Sequence, residues 1–386
     1  MVCTEVVFLF RFKPLLLHPK AVPGRSDLFI NFINNKMMRN TFNYTVRALS
    51  LIALAAGLTA CEFQECTECP GTAGEPATLS LSVSPTATKS TQTPSDETDK
   101  TLNTIDVLIF NNSGSGQLDV HKRFEEGQTQ MEIQTTTGSK KVCVVANAKS
   151  LQISSVTSYS QFQEMVADLN EELFGNLTMY GEKDVTMTAQ TTEAITVSRF
   201  ISRITVTSVK TDFAGTPYKD MTLNNCKLYL INVNADKLLY NGEPTESPVI
   251  LNEGGLVSED VTGAAQTGLL MDEISGTISD AGYSTPHYLY CYSNETSDIA
   301  SCTKLVLQAD IDGTTYYYPI PVNQEEYGYV TGNGHHGIKR NTVYSMDISV
   351  SRPGSTDPDT PIEPGTLDLS ISVADWTEVP EFDKEF

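Results

Sequence analysis

The chain has 386 residues and a formal net charge of -22, with 48 Asp+Glu against 26 Lys+Arg. Such an acidic surface would repel nucleic acid and anionic membrane, so neither is expected as a partner. The length allows two domains with proper cores, and abundant Thr, Val and Tyr lean the chain toward β structure.

Residues 1–36 hold apolar patches interrupted by Pro14, Pro19 and Pro23, and read as an upstream extension outside the mature fold. From Met37 or Met38 an export pattern begins: Arg39 and Arg47, then ALSLIALAAGLTAC. Residues 37–60 are therefore expected to be a signal peptide whose apolar run is too short for a comfortable membrane span. Leu58-Thr59-Ala60-Cys61 has the layout of a bacterial lipoprotein processing box, which makes Cys61 the lipidation site and outer-membrane lipid a partner. Several acyl chains on one terminus, palmitate among them, anchor far more firmly than one.

From Cys61 onward the chain has 19 basic and 46 acidic residues, a net of -27. Residues 61–76 read as a tether. Its ECTEC sets Cys66 and Cys69 at CxxC spacing, but with no nearby His and no strand-to-helix setting. Idle thiols or a local disulfide fit better than a redox or metal site.

Ala77–Ser84 is predicted to be the first strand, because Leu79, Leu81 and Val83 alternate with serines. Pro85 to Lys100, with Pro94 and many Thr and Ser, reads as an exposed loop. Asn103–Asn111 (NTIDVLIFN) is a strand with Ile105, Val107 and Ile109 on one face, and Asn112–Gly116 can turn the chain. Lys141–Ala148 (KVCVVANA) is a central strand. Ser160 is expected to cap a helix reaching about Glu172, with Phe162, Met165, Val166 and Leu169 covering a sheet.

Ile195–Val209 carries Arg199 and Arg203, which share a face whether the segment is a strand or contains a helical turn. They read as a solvated face or an interdomain salt bridge, at a boundary where a second series of strands begins. That series includes Cys226–Val233 and His287–Cys291. Cys291 and Cys302 are placed to bridge a hairpin, which export would permit, although sequence leaves the pairing open. Tyr316, Tyr317 and Tyr318 must occupy both faces of any strand, so cross-strand packing explains them better than a sugar platform. Asp310 and Asp312 fit a turn and lack the spacing of a calcium loop. His335 and His336, in GNGHHG, fit a surface loop and have no third ligand at a known spacing. No catalytic residue, metal or cofactor is assigned.

Near the end, LDLSISVADW sets Leu367, Leu369, Ile371 and Val373 in alternation with Asp368, Ser370 and Ser372. The Pro-rich run Pro353–Pro364 is expected to hold this strand away from the domain before it, leaving an edge in need of a sheet. Two similar strands, one at each end, suggest assembly by strand exchange. Pairing of both within their own chain is the alternative.

In order, LTAC at the processing box, TIDVLIFN, MYG at Met179–Gly181, SRFISRITV at Ser198–Val206, KRNTVYSMDISV at Lys339–Val350 and VADW at Val373–Trp376 resemble the Bacteroidales fimbrillin family, with its FimA-like and Mfa-like pilus subunits. The resemblance implies a mainly β fold of two tandem β-sandwich, transthyretin-like domains, 77–196 and 197–352, followed by a linker and donor strand in 353–386. It also implies an exported lipoprotein that polymerises by donor-strand exchange at the outer surface, supporting adhesion to a host or bacterial receptor. In that family a trypsin-like protease removes the first strand, and a neighbour's C-terminal strand takes its place. Carried here, Leu79, Leu81 and Val83 mark the strand to be lost, and Leu367, Leu369, Ile371 and Val373 its replacement. The family presents arginine after the first strand, whereas this chain has only Lys89 and Lys100 between Cys61 and Ile105, which makes Lys89 the processing site. An uncut subunit would instead be a basal anchor, an accessory subunit or a monomeric surface lipoprotein binding glycan or protein.

Overall fold

The computed structural model describes residues 74–85, 98–125, 128–148, 151–254, 267–324, 334–360, 362 and 367–375. All lie within one contact unit, Thr72–Phe386. The first half contains β1 (Pro76–Pro85), β2 (Thr104–Asn111), β3 (Leu118–Glu125), β4 (Gln130–Thr136), β5 (Gly138–Ala146), β6 (Val166–Asp168), β7 (Met179–Met187) and β8 (Gln190–Arg199). All but β6 join a seven-stranded sheet in the order β3-β2-β5-β7-β8-β1-β4. The sheet curls until its edges β3 and β4 meet through side chains, giving a nearly closed barrel. Alternation decides what fills it. Leu79, Leu81 and Val83 of β1 pack with Ile105, Val107 and Ile109 of β2, and Met131, Ile133, Val142, Val144, Ile195 and Val197 complete the cluster.

The expectation for β2 covered only half of its burial. Leu108 and Phe110 point the other way, into a second and larger core shared with Cys143 and Val145 of β5. Over this core lies α1 (Tyr159–Gln163), which is far shorter than the periodicity predicted. Its cap is Ser158, whose Oγ accepts the Gln161 N–H at 3.3 Å, rather than Ser160. The chain then becomes extended, since Val166–Asp168 pairs antiparallel with Asp236–Leu238, and Leu169–Glu171 forms a single 3-10 turn. Pairing with a distant strand overrides four residues at helical spacing, although Phe162 and Leu169 remain buried as that spacing required.

The second half contains β9 (Ile201–Thr211), β10 (Asn224–Ile231), β11 (Val233–Asn234), β12 (Asp236–Leu238), β13 (Ile250–Leu251), α2 (Thr267–Leu270), β14 (Met271–Glu273), β15 (His287–Tyr292), β16 (Lys304–Ile311), β17 (Thr314–Pro321), β18 (Thr342–Val350) and β19 (Leu367–Asp375). They form two four-stranded sheets, β14-β10-β16-β17 and β15-β9-β18-β19, with two-stranded pairs β11-β13 and β12-β6. Residues of both sheets, among them Ile204, Leu228, Leu289, Leu305 and Met346, enter the large core. Tyr318 joins it too, while Tyr317 belongs to a separate cluster with Tyr229, Ile231 and Val306, as consecutive strand residues must. Asp312 and Gly313, at φ 49° and 76°, make the two-residue hairpin turn between β16 and β17.

Two expectations about the second half are corrected. Cys291 and Cys302 do not bridge; with Cys143 and Cys226 they are free, buried thiols packed as small apolar groups. The Pro-rich run does not stand clear of the domain either. Ser355 exchanges two backbone hydrogen bonds with Tyr317, at 2.8 and 2.9 Å, and Asp359 meets Lys304 Nζ at 2.6 Å. Tyr317 lies on the edge strand β17, whose backbone groups would otherwise lack a ladder partner on that side. β19 then returns antiparallel to β18, from Leu367 opposite Val350 to Asp375 opposite Thr342.

Candidate functional site

β1 is an inner strand, and its removal would affect two neighbours at once. It runs antiparallel to β4 through seven residue pairs, from Pro76–Thr136 to Ser82–Gln130. On its other side it runs parallel to β8 through eight, from Thr78–Gln190 to Pro85–Val197. Leu79, Leu81 and Val83 are at most 3% exposed, so each fills a place in the barrel core. Among the described residues β4 has no other ladder. β8 is paired with β7 only at Met179–Arg199 and Tyr180–Ser198, because the hairpin splays toward its turn. Taking β1 away would leave a slot with two unpaired backbone walls and a missing row of apolar side chains.

Among the described residues, β19 pairs with one strand, β18. Leu367, Leu369, Ile371 and Val373 stand in register with Val350, Ile348, Met346 and Tyr344 of β18, and β19 is the edge of its sheet. Cys61 and Lys89 lie outside the described residues, as do Cys66 and Cys69.

The two halves join at a buried charged cluster that sequence reading only half anticipated. Asp99, expected in an exposed loop, is 1% exposed and sits at the end of the β1–β2 connection. Its carboxylate meets Arg203 Nη1 at 3.1 Å and accepts the Tyr290 hydroxyl at 3.2 Å, while its carbonyl accepts Arg199 Nε at 2.8 Å. Arg203 therefore forms a buried salt bridge and Arg199 a buried hydrogen bond to the same residue, and neither arginine lies on a solvated face. Glu172 is buried nearby, accepting the Thr178 N–H at 2.8 Å and the Tyr292 hydroxyl at 2.9 Å. Burial pushes its carboxyl up to about 7, against those two bonds.

Several sequence motifs converge at this junction. Arg340 donates to Ser198 Oγ at 2.9 Å and lies over the Phe200 ring, and Asn341 Oδ1 accepts from Arg199. Tyr180 stacks on Phe200, and a Cβ at Gly181 would collide with the Thr196 carbonyl oxygen, so only glycine fits. Thus MYG, SRFISRITV and KRNTV are one packing unit where the barrel hands over to the second half. Neither Asp99 nor Glu172 gave a signal in sequence, since each is an ordinary acid in a polar segment. Lys140 was findable. It shares the alternation of Val142 and Val144, which aims it inward, and it is indeed 1% exposed.

The remaining candidates are structural. Asp310 accepts from Asn225 and Thr315 beside its turn, and His335 Nε2 lies 3.0 Å from the Tyr344 hydroxyl. Burial pushes the Cys143, Cys226 and Cys291 thiols up to about 12, far from a reactive thiolate. No group of three His, Cys, Asp or Glu among the described residues could hold a metal ion.

The family described as major fimbrial subunit protein (FimA) matches residues 77–248, and the FimA4 pilin C-terminal domain matches residues 294–376. The chain belongs to the Bacteroidales fimbrillin family. The major fimbrium subunit FimC of Porphyromonas gingivalis is 27% identical to this fimbrillin over 349 residues, 86% of this chain and 69% of that one. A candidate fimbrium tip subunit of Parabacteroides distasonis, Fim1C, is 26% identical over 314 residues, 71% of this chain and 79% of that one. In fold, the fimbrillin is similar to the crystal structure of FimA from Porphyromonas gingivalis W83. The TM-score is 0.56 at 17% identity, covering 78% of this chain and 98% of that one. As a fimbrillin, the protein is a structural fimbrial subunit of the outer-membrane surface and not an enzyme.

Proposed function

We propose that this subunit joins its neighbours by strand replacement. Protease cleavage after Lys89 frees β1, and the C-terminal strand of another subunit enters the slot between β4 and β8. The observation that carries this reading is the position of β1, which supplies the ladder for both walls and a row of three core residues. An incoming LDLSISV offers an apolar residue at every second position, as Leu79, Leu81 and Val83 do. Leaving β18 costs the tail nine residue pairs on one side, whereas the slot offers fifteen on two. Each Leu or Ile buried there contributes roughly 1.5–3 kcal/mol before ordering costs.

In this reading Cys61 is acylated during export, and cleavage separates the lipid from the polymerising body. The barrel half and the two-sheet half act as tandem sandwich domains, with adhesion a property of the assembled filament. Lys89 in the place of an arginine favours a second role for any uncut molecule, that of a lipid-held basal anchor or accessory subunit. N-terminal sequencing of subunits from sheared surface filaments tests the main reading. A start at Ser90 is expected; filament subunits that keep β1 and a blocked Cys61 would overturn it.

A further inference from the structure

β4 is the weak wall of the slot. β8 keeps two residue pairs with β7 when β1 is gone, but β4 keeps none among the described residues. What remains among the described residues is covalent continuity into β5, the inward side chains of Met131 and Ile133, and polar contacts across the barrel seam, most of them in one small clasp. Lys140 on β5 lies at the centre of that clasp. Its Nζ donates to Asn111 Oδ1 at the end of β2 at 2.6 Å, Asp119 Oδ2 on β3 at 2.7 Å, and Thr136 Oγ1 on β4 at 2.6 Å. Asp119 Oδ2 also accepts the Thr135 hydroxyl at 2.6 Å, the Thr136 hydroxyl at 2.9 Å and the Thr136 backbone N–H at 3.1 Å.

Lys140 thereby uses its three ammonium protons on three different strands. The carboxylate it meets takes the last backbone donor of β4, at the seam where the sheet has no ladder. Charge-assisted bonds with a largely dehydrated cation are the strong kind, and they fix position as well as contribute stability. Farther along the seam, Lys122 Nζ donates to the Glu132 carbonyl at 3.2 Å, but that contact is exposed.

We infer that Asp119 and Lys140 are positioning residues for assembly: their clasp with Thr135 and Thr136 holds β4 in place while the slot stands empty, so that the slot keeps its width and register for an incoming strand. This inference rests on the strand-replacement reading. While β1 is present, its seven-residue ladder pins β4 and the clasp is partly redundant. Once β1 leaves, the clasp is what supplies polar anchorage, among the described residues, at the Thr135–Thr136 end of β4.

The test uses the full chain with a site-specific protease sequence placed after Lys89. β1 is released in mild denaturant, which is then removed. The probe is a fluorescent peptide of residues 366–377, followed by anisotropy, with hydrogen exchange of the β4 amides as a second readout. Asp119→Ala strands the Lys140 ammonium in the interior and can unfold the barrel outright. Thr136→Val is the companion variant, because it loosens β4 while leaving the ion pair in place. Before cleavage, Thr136→Val should match the unaltered protein in β4 exchange. After cleavage its β4 amides should exchange about tenfold to a hundredfold faster, and peptide binding should weaken by a similar factor. Thr136→Ser, which restores the hydroxyl, should recover both. Equal exchange and equal binding in cleaved Thr136→Val and unaltered protein would overturn the role of the clasp. Failure of the cleaved unaltered protein to take up peptide would sink strand replacement instead, and the exchange rates would still decide whether the clasp holds β4.

Discussion

Arg203 and Asp99 place opposite charges where neither side chain is exposed. Such a pair adds little over apolar residues of similar volume, but breaking it leaves a buried charge uncompensated. Arg203→Ala should therefore cost about 3–5 kcal/mol in a denaturant titration, with added loss from the Tyr288 ring that the guanidinium covers. A loss no larger than that of an exposed pair would contradict the geometry. Glu172 makes a pH-dependent contribution. Its folded carboxyl is raised to about 7 by burial, so its stabilising protonated form is fully present below the ordinary carboxylate range and lost as pH rises through about 7. Between pH 5 and pH 8 this residue should remove on the order of 3 kcal/mol. Glu172→Gln should flatten that part of the stability profile, and an unchanged slope would show that the carboxyl is not buried in this way.

At the scale of elements, β19 and β1 have the same pattern but different surroundings. β18 is held by β9 through eight residue pairs on its far side, so deleting residues 367–386 should leave a cooperatively folding monomer. The same deletion should abolish filament growth, as seen by light scattering and electron microscopy. Growth at the normal rate would remove β19 from the account. The strands were legible because a period of two in Leu79, Leu81 and Val83, or in Ile105, Val107 and Ile109, states both an element and its inward face. The helix expected from Ser160 to Glu172 does not form at that length, because a few apolar residues at helical spacing also fit a short helix, a strand and a turn in succession. Only the distant partner Asp236–Leu238 decides between them. The docking of Ser355 on β17 is equally hidden, since it depends on an edge carbonyl and N–H that no side-chain pattern reveals.

At the largest scale, the described residues form a barrel and a two-sheet half that meet at a charged junction, with an inner strand first in order and an edge strand last. The ends and the motif order were readable in the sequence. The burial of Asp99 and Glu172, and the clasp at the barrel seam, were not, because each depends on residues many positions apart meeting in space. The central claim is that the slot of one subunit receives the tail of another. It is tested most directly by placing a photoactivatable residue at position 371 in surface filaments grown from mixed heavy- and light-isotope subunits. The account predicts crosslinks between heavy and light chains, landing in residues 130–136 or 190–199. Crosslinks confined to residues 342–350 of the same chain would contradict it.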